Sequence, residues 1–335
     1  MQRQQAISDW LNGLFPGRPH TLSPASADAS FRRYFRVNWG DGPDSPTQIV
    51  MDAPPEREDV RPWLHVQALF QAAGAHVPDV LATDMSQGFL LLSDLGNTTF
   101  LGALSAGRDA DELYLPAIET LIRIQLASRT AELPEYNRDL LKRELDLFPD
   151  WYVGKHIPVA FGDDQRNSLD KVFEHILAVN LGEPQVYVHR DFHSRNLMLI
   201  SPGPGVIDFQ DAVYGPISYD LVSLFKDAYV DWDEERQLDW LARYWEQAKK
   251  SGLPVRSDFG EFFRDYEWMG VQRHVKVLGI FARLYHRDGK DGYLKDMPLV
   301  AKYLRGACGR YRELTPLLRL LDQLENKQVQ TGYTF

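Results

Sequence analysis

His189-Arg190-Asp191-Phe192-His193-Ser194-Arg195-Asn196-Leu197 follows the apolar run Val186–Val188, and twelve residues beyond Asn196 stands Ile207-Asp208-Phe209-Gln210-Asp211. The runs Val186–His189, Leu197–Ile200 and Val206–Ile207 read as strands, turned at Ser194 and at Ser201–Gly205. That pattern puts Asp191 on the loop after one strand and sets Asn196 and Asp208 across a hairpin, so that three oxygen-bearing side chains meet at one point. Phosphoryl transfer needs such a set: a carboxylate to orient and deprotonate a hydroxyl, and an Asn with an Asp to hold Mg²⁺ on phosphates. Mg²⁺ keeps several waters, so two protein ligands suffice. Two other readings compete. Asp and Asn are also ordinary turn residues, and the alternation of His189, Asp191 and His193 would suit a metal-dependent hydrolase. Neither explains the joint placing of Asn196 and Asp208.

Working outward, the 335 residues carry 37 Lys and Arg against 47 Asp and Glu, a net charge of −10, with 44% hydrophobic residues. This is a globular composition, with length for two domains. An acidic balance argues against a nucleic-acid partner. The single Cys308 closes no intrachain disulfide, and no Cys/His cluster suggests structural zinc. Met1–Phe15 has no unbroken apolar stretch, and runs such as Phe89–Leu92 fall far short of a membrane span. A cytoplasmic protein without a membrane partner is expected.

Before the decisive segment, Ile7–Leu14 reads as a helix, Ser23–Ser30 as a turn, and Phe31–Val37 and Thr47–Met51 as strands around a Gly/Asp/Pro-rich tip. Asp59–Ala73 has helical spacing, and Val77–Ala82 and Gly88–Leu92 read as further strands. After Gly96 the pattern turns helical: Asp111–Ser128, Leu140–Tyr152, Gln165–Val179, Glu234–Lys250, Phe259–Tyr285 and Arg310–Leu324. The expected fold is α+β and bilobal. A small β-rich lobe (1–95) and a larger helical lobe (96–335) are expected, with a cleft between them that is a favoured place for a ligand.

His189–Leu197 resembles the protein-kinase catalytic loop, with Phe192 where Leu is usual, and Asp208-Phe209 resembles the start of the DFG motif. With no APE-type segment after Asp208, and with Asp220-Leu221 following, the chain is more similar to small-molecule kinases of the aminoglycoside-phosphotransferase type. Further stretches narrow the likeness: 28–36, Val50-Met51-Asp52-Ala53-Pro54-Pro55, Gly88–Gly96, 143–151 and Gly279–Leu284. Together they resemble the anomeric sugar kinases that phosphorylate N-acetylmuramate and N-acetylglucosamine in peptidoglycan recycling. The resemblance implies a protein-kinase-like fold, ATP and Mg²⁺, an α-1-phosphate product and a small-molecule sugar acceptor; a monomer is expected. It makes Asp191 the base, Asn196 and Asp208 the Mg²⁺ ligands, and Asp220 a brace for the catalytic loop. The adenine is expected on the backbone of Leu91–Leu95, including Leu92 and Asp94.

The chain departs from the kinase pattern in its small lobe. No Lys precedes Lys142, and Ser26–Ser30 has no Gly. Phosphate contacts then fall to Ser30, Arg32, Arg33 or Arg36; Arg grips phosphate bidentately. Adjacent strand residues point oppositely, so at most one of Arg32 and Arg33 reaches phosphate. On the acceptor side, Glu144 lies on an apolar helical stripe, either for sugar hydroxyls or in a buried ion pair. His193 reads as a sugar contact or a loop-stabilising residue, and His189 as a hydrogen-bonded structural residue. Arg143, Arg190 and Arg195 are candidates for a cation near the lactyl carboxylate of N-acetylmuramate. An aminoglycoside or other small-alcohol kinase, or a non-catalytic nucleotide-binding regulator, are the alternatives.

Overall fold

A strand whose alternate residues are apolar has two chemically different faces, and the small lobe is assembled around that fact. In the computed structural model, which describes residues 2–27, 31–40, 42, 45–157 and 161–325, α1 (Gln2–Leu14) precedes β1 (Thr21–Ala27), β2 (Arg33–Asn38) and β3 (Thr47–Asp52). Then come α2 (Arg61–Ala72), β4 (Val80–Asp84) and β5 (Phe89–Ser93). The five strands form one antiparallel sheet in the order β1-β2-β3-β5-β4. Phe35, Val37, Val50, Phe89 and Leu91 face outward and bury Ile7 and Leu11 of α1. Each such aliphatic burial is worth about 1.5–3 kcal/mol. Met51, Leu90 and Leu92 face the other way, onto Trp63, Val66 and Phe70 of α2 and the core shared with the large lobe.

The large lobe continues with α3 (Phe100–Ser105), α4 (Asp111–Leu126), α5 (Arg138–Leu147) and α6 (Asp163–Leu181). Two short ribbons follow: β6 (Gln185–Val188) pairs with β9 (Val213–Pro216), and β7 (Leu197–Leu199) with β8 (Pro204–Val206). The chain ends in α7 (Tyr219–Phe225), α8 (Glu234–Lys250), α9 (Phe259–Asp288), α10 (Met297–Cys308) and α11 (Thr315–Leu324). At 30 residues, α9 spans about 45 Å at 1.5 Å per residue. The Asp258 side chain accepts from the Glu261 N–H at its start, and Gly289 closes it with φ +68°. Gly279 lies where α9 passes the end of α5: a Cβ there would fall 2.4 Å from the Leu147 carbonyl carbon.

The α+β, bilobal expectation holds, with local corrections. The stretch read as a turn at Ser23–Ser30 is largely β1, an edge strand with a register shift between Pro24 and Ser26. Edge position and bulge are what let a Pro-containing run of small residues pair. Residues 28–30 lie outside the described residues, so the expectation for Ser30 has no structural counterpart. The helix expected over Leu140–Tyr152 is α-helical only to Leu147 and π-helical over Phe148–His156. Pro149 has no N–H to give to residue 145, and the wider turn accommodates the loss. The elements α3, α10 and β9 carry weaker sequence patterns and have no counterpart in the sequence reading. None of the described helices is long and apolar enough to cross a membrane.

Candidate active site

The loop from His189 to Asn196 is held by two buried carboxylates. Asp220, on α7, accepts from the backbone N–H of His189 (2.7 Å) and of Arg190 (3.0 Å). Asp227, just beyond α7, accepts from the Ser194 N–H at 3.0 Å and from its hydroxyl. Arg190 (φ +76°) and Asp208 (φ +64°) both adopt the left-handed conformation, uncommon for residues with side chains and tolerated where surrounding bonds over-determine it. Here the bond from the Arg190 N–H to Asp220 and a bond from Gln210 Nε2 to Asp208 Oδ1 (2.8 Å) provide that restraint.

Within this frame the three expected residues converge. The Asn196 amide donates to the Asp191 carbonyl (3.1 Å) and to Asp208 Oδ2 (3.3 Å), and the Ile207 N–H donates to the Asn196 carbonyl (3.1 Å). Asp191 keeps 45% of its side chain exposed, so its carboxylate is open to an incoming hydroxyl. Partial burial pushes that carboxyl up, but Lys276 above all, with His193, Arg273 and Arg190, outweighs it and holds Asp191 at about 2. Arg273 Nη2 and His193 Nε2 each lie 3.9 Å from Asp191 Oδ1.

His189 is fully buried. Its Nε2 donates to the Ile207 carbonyl (3.0 Å) and its Nδ1 accepts from the Asp191 N–H (3.2 Å). Burial pushes its pKa down to about 4, so the ring is neutral. With both ring nitrogens engaged, His189 has none left for a metal, which removes the basis of the hydrolase reading. An aromatic column continues from it: Phe70 lies 6.1 Å from His189 and 5.8 Å from Phe209, and Trp63 lies 5.0 Å from Phe209. Through this column α2 is packed directly on the Asp208-Phe209 turn.

Facing the loop, a cavity of about 370 Å³ is walled by Tyr34 and Arg36 of β2, Leu92, the Ser93–Asn97 connector, and Asn196 with Asp208. Leu92 and Asp94 thus both border it. The Asp94 carboxylate is taken up by Arg36, through Nε (2.6 Å) and Nη2 (3.0 Å), and by the Gly96 N–H (2.9 Å). Arg32, one residue before β2, is not among the residues that line this cavity; its Nη1 lies 3.9 Å from Glu58 Oε2. Arg33 points to the opposite face, where its Nη2 donates to Asp52 (2.5 Å) beside Arg3. Of the two expected phosphate contacts, therefore, Arg33 is not in the cleft, for the parity reason that separates neighbours on any strand.

Glu144 is buried and fully engaged: Arg190 and Lys276 (3.0 Å) pair with it, and Tyr136 and Gln272 (3.2 Å) donate to it. Burial pushes its carboxyl up, but Lys276 and then Arg190 bring it below the usual range. Of the two readings left open for Glu144, the buried ion pair is the one present in the structure. His193 is buried against Tyr229, with ring centroids 5.5 Å apart. Arg195 borders the cavity, with its guanidinium carbon 3.9 Å from the Tyr229 ring.

Asp227, Arg273 and Lys276 were missed in the sequence. Asp227 stands seven residues after Asp220, two helical turns on, and Arg273 and Lys276 interrupt the apolar face of α9 at a spacing of three; both were available signals.

The chemistry of the donor set suits a divalent cation. Asn196 and Asp208 each carry a hard oxygen donor, the kind and number Mg²⁺ takes beside phosphates and water, and the hydrogen bond from the Asn196 amide nitrogen to Asp208 Oδ2 (3.3 Å) holds the two side chains side by side. Residues 21–259 match the family described as "Phosphotransferase enzyme family". The chain belongs to that family. A Neisseria meningitidis serogroup B relative named N-acetylmuramate/N-acetylglucosamine kinase is 50% identical over 100% of both chains. A relative of the same name from Pseudomonas aeruginosa is 46% identical, over 96% of this chain and 97% of its own. Among solved structures, an ADP-bound aminoglycoside phosphotransferase aligns with a TM-score of 0.58 at 17% identity, over 89% of this chain and 96% of its own. A choline kinase from Streptococcus pneumoniae aligns with a TM-score of 0.64 at 12% identity, over 91% and 100%. This family member is thus a kinase with the bilobal fold, and ATP with Mg²⁺ is its phosphoryl donor.

Proposed function

We propose that this phosphotransferase moves the γ-phosphoryl group of ATP to the anomeric C1 hydroxyl of N-acetylmuramate and N-acetylglucosamine, in cell-wall recycling. The full-length likeness to two kinases of that name carries the acceptor assignment; the half-exposed Asp191 beside Asn196 and Asp208 carries the chemistry. In this mechanism Asp191 accepts the hydroxyl proton as the oxygen–phosphorus bond forms and the bond to ADP breaks. A carboxylate held at about 2 is a weak base. It is better matched to an anomeric hydroxyl, the most acidic hydroxyl of a reducing sugar, than to an ordinary alcohol. Asn196 and Asp208 would hold Mg²⁺, which when bound neutralises phosphate charge.

On the donor side, the backbone of Leu92–Gly96 receives the adenine, and Arg32, backed by Glu58, takes the place of the absent small-lobe Lys. Asp220 and Asp227 keep the loop in register. We place the enzyme in the cytoplasm, where ATP is available, and take it to act as a monomer.

The test is ATP consumption with N-acetylmuramate, N-acetylglucosamine, glucose and kanamycin, the products read by phosphorus NMR. A C1 phosphate with the two N-acetyl sugars is the expected result. Turnover of kanamycin alone, or phosphate at another carbon, would refute the assignment.

A further inference from the structure

The two acceptors differ by one group, the ether-linked lactate of N-acetylmuramate, which ends in an ionised carboxylate. Bringing that carboxylate out of water is costly unless a cation or several donors meet it. Most cations of the cleft already have an anion. Arg36 is held by Asp94, Arg32 pairs with Glu58, and Arg190 and Lys276 share Glu144. Arg273 lies 3.9 Å from Asp191 and donates through Nε to Ser223 at 2.7 Å. Burial lowers the pKa of His193, and its Nε2 already lies 3.9 Å from Asp191 Oδ1.

Arg195 differs from all of these. Among the described residues no carboxylate lies within 4.0 Å of it; Asp296 is in its field only at longer range. Its guanidinium is held by rings instead, with its central carbon 3.9 Å from the centroid of Tyr229 and 5.9 Å from that of Tyr293. Both rings are fixed: the Tyr229 N–H donates to Asp227 (3.1 Å), and Tyr293 packs on Phe281 at 5.1 Å. A guanidinium stacked on an aromatic face keeps the N–H groups at its edge for a planar anion, and the rings limit the entropy lost on binding one. Tyr229 also packs on His193, whose Nε2 is 3.9 Å from Asp191. The aromatic wall that holds Arg195 thus reaches the base and belongs to the acceptor side.

We infer that Arg195 is the specificity residue that recognises the carboxylate of the sugar-acid substrate, through a fork presented by Tyr229 and Tyr293. This rests on the acceptor class proposed above.

The test compares kcat/KM for N-acetylmuramate, its neutral methyl ester and N-acetylglucosamine in the wild type and in Arg195→Gln. Charged hydrogen bonds of this kind are worth about 10- to 100-fold. The wild type should prefer the acid to its ester by that factor, and Arg195→Gln should lose the preference. The ratio of N-acetylmuramate to N-acetylglucosamine efficiency should fall by a similar amount. Equal loss with all three sugars, accompanied by a higher KM for ATP, would give Arg195 to the phosphates and overturn the inference. Equal wild-type turnover of acid and ester would overturn it without any variant, so misfolding of Arg195→Gln leaves the inference testable. A wild type that phosphorylates none of the three would instead refute the acceptor class, a distinct outcome.

Discussion

Replacing Glu144 separates a structural carboxylate from a substrate-binding one. In the native state its two oxygens receive Arg190, Lys276, Tyr136 and Gln272, with only 7% of the side chain exposed. Glu144→Ala leaves two buried cations without their anion, a defect that costs about 3–5 kcal/mol. At about 2.1 cal/mol/K per residue, a chain of 335 residues has an unfolding entropy of about 0.7 kcal/mol/K. The melting temperature should then fall by about 4–7 °C, read by calorimetry with matched scans. Because Arg190 adjoins Asp191, kcat should fall as well. Glu144→Gln, which keeps the side-chain volume and one acceptor oxygen but removes the charge and turns the other oxygen into an NH2 donor, should fall between. The pH dependence has a definite sign. A carboxyl held below its unfolded value stabilises the fold above the unfolded pKa, and that contribution disappears as pH falls through the folded one. Glu144→Gln should therefore lose less stability than wild type on acidification below about pH 4.5. An unchanged melting temperature with a raised KM for sugar would refute the reasoning and return Glu144 to the acceptor.

Arg32→Met should raise the KM for ATP about tenfold, as loss of a charged phosphate contact does, while Arg33→Met, on the outer face with Asp52, should leave it within about twofold. The reverse order would place the phosphates on the other face of β2. Asp191→Asn should lower kcat by about 10²–10⁴-fold with ADP binding retained by calorimetric titration; wild-type turnover would remove Asp191 as the base. Since Asp191 is held at about 2, its ionised form is lost only as pH falls towards that value. At saturating ATP and Mg²⁺, kcat should show no limb from it between pH 5 and 8. A limb in that range that moves on Arg273→Met would show that the base titrates under working conditions. Asp227→Ala, which orphans the Ser194 N–H and hydroxyl, should cost about 1–3 kcal/mol in denaturant unfolding; no change would mean the loop does not depend on it.

Local chemistry made much of this protein readable in one dimension. The strand–loop–strand pattern around His189–Asp208 places Asp191, Asn196 and Asp208 within one supersecondary unit, where spacing and turn geometry suffice to bring them together. Helices long enough to show the 3.6-residue period, Glu234–Lys250 and Phe259–Asp288 among them, declare themselves in the same way. The parity of β2 even announced that Arg32 and Arg33 diverge. That Arg33 lies on the outer face with Asp52 is settled by the packing of α1 there, a long-range event without a local signature. The same holds for β1, whose small residues and Pro become a strand only because β2 offers them an edge. It holds again for Glu144, where one sequence stripe permits a sugar contact or an ion pair until α9 arrives with Lys276 and Gln272. Charges meet through tertiary contacts over more than a hundred residues, and the sequence records each charge but not its partner.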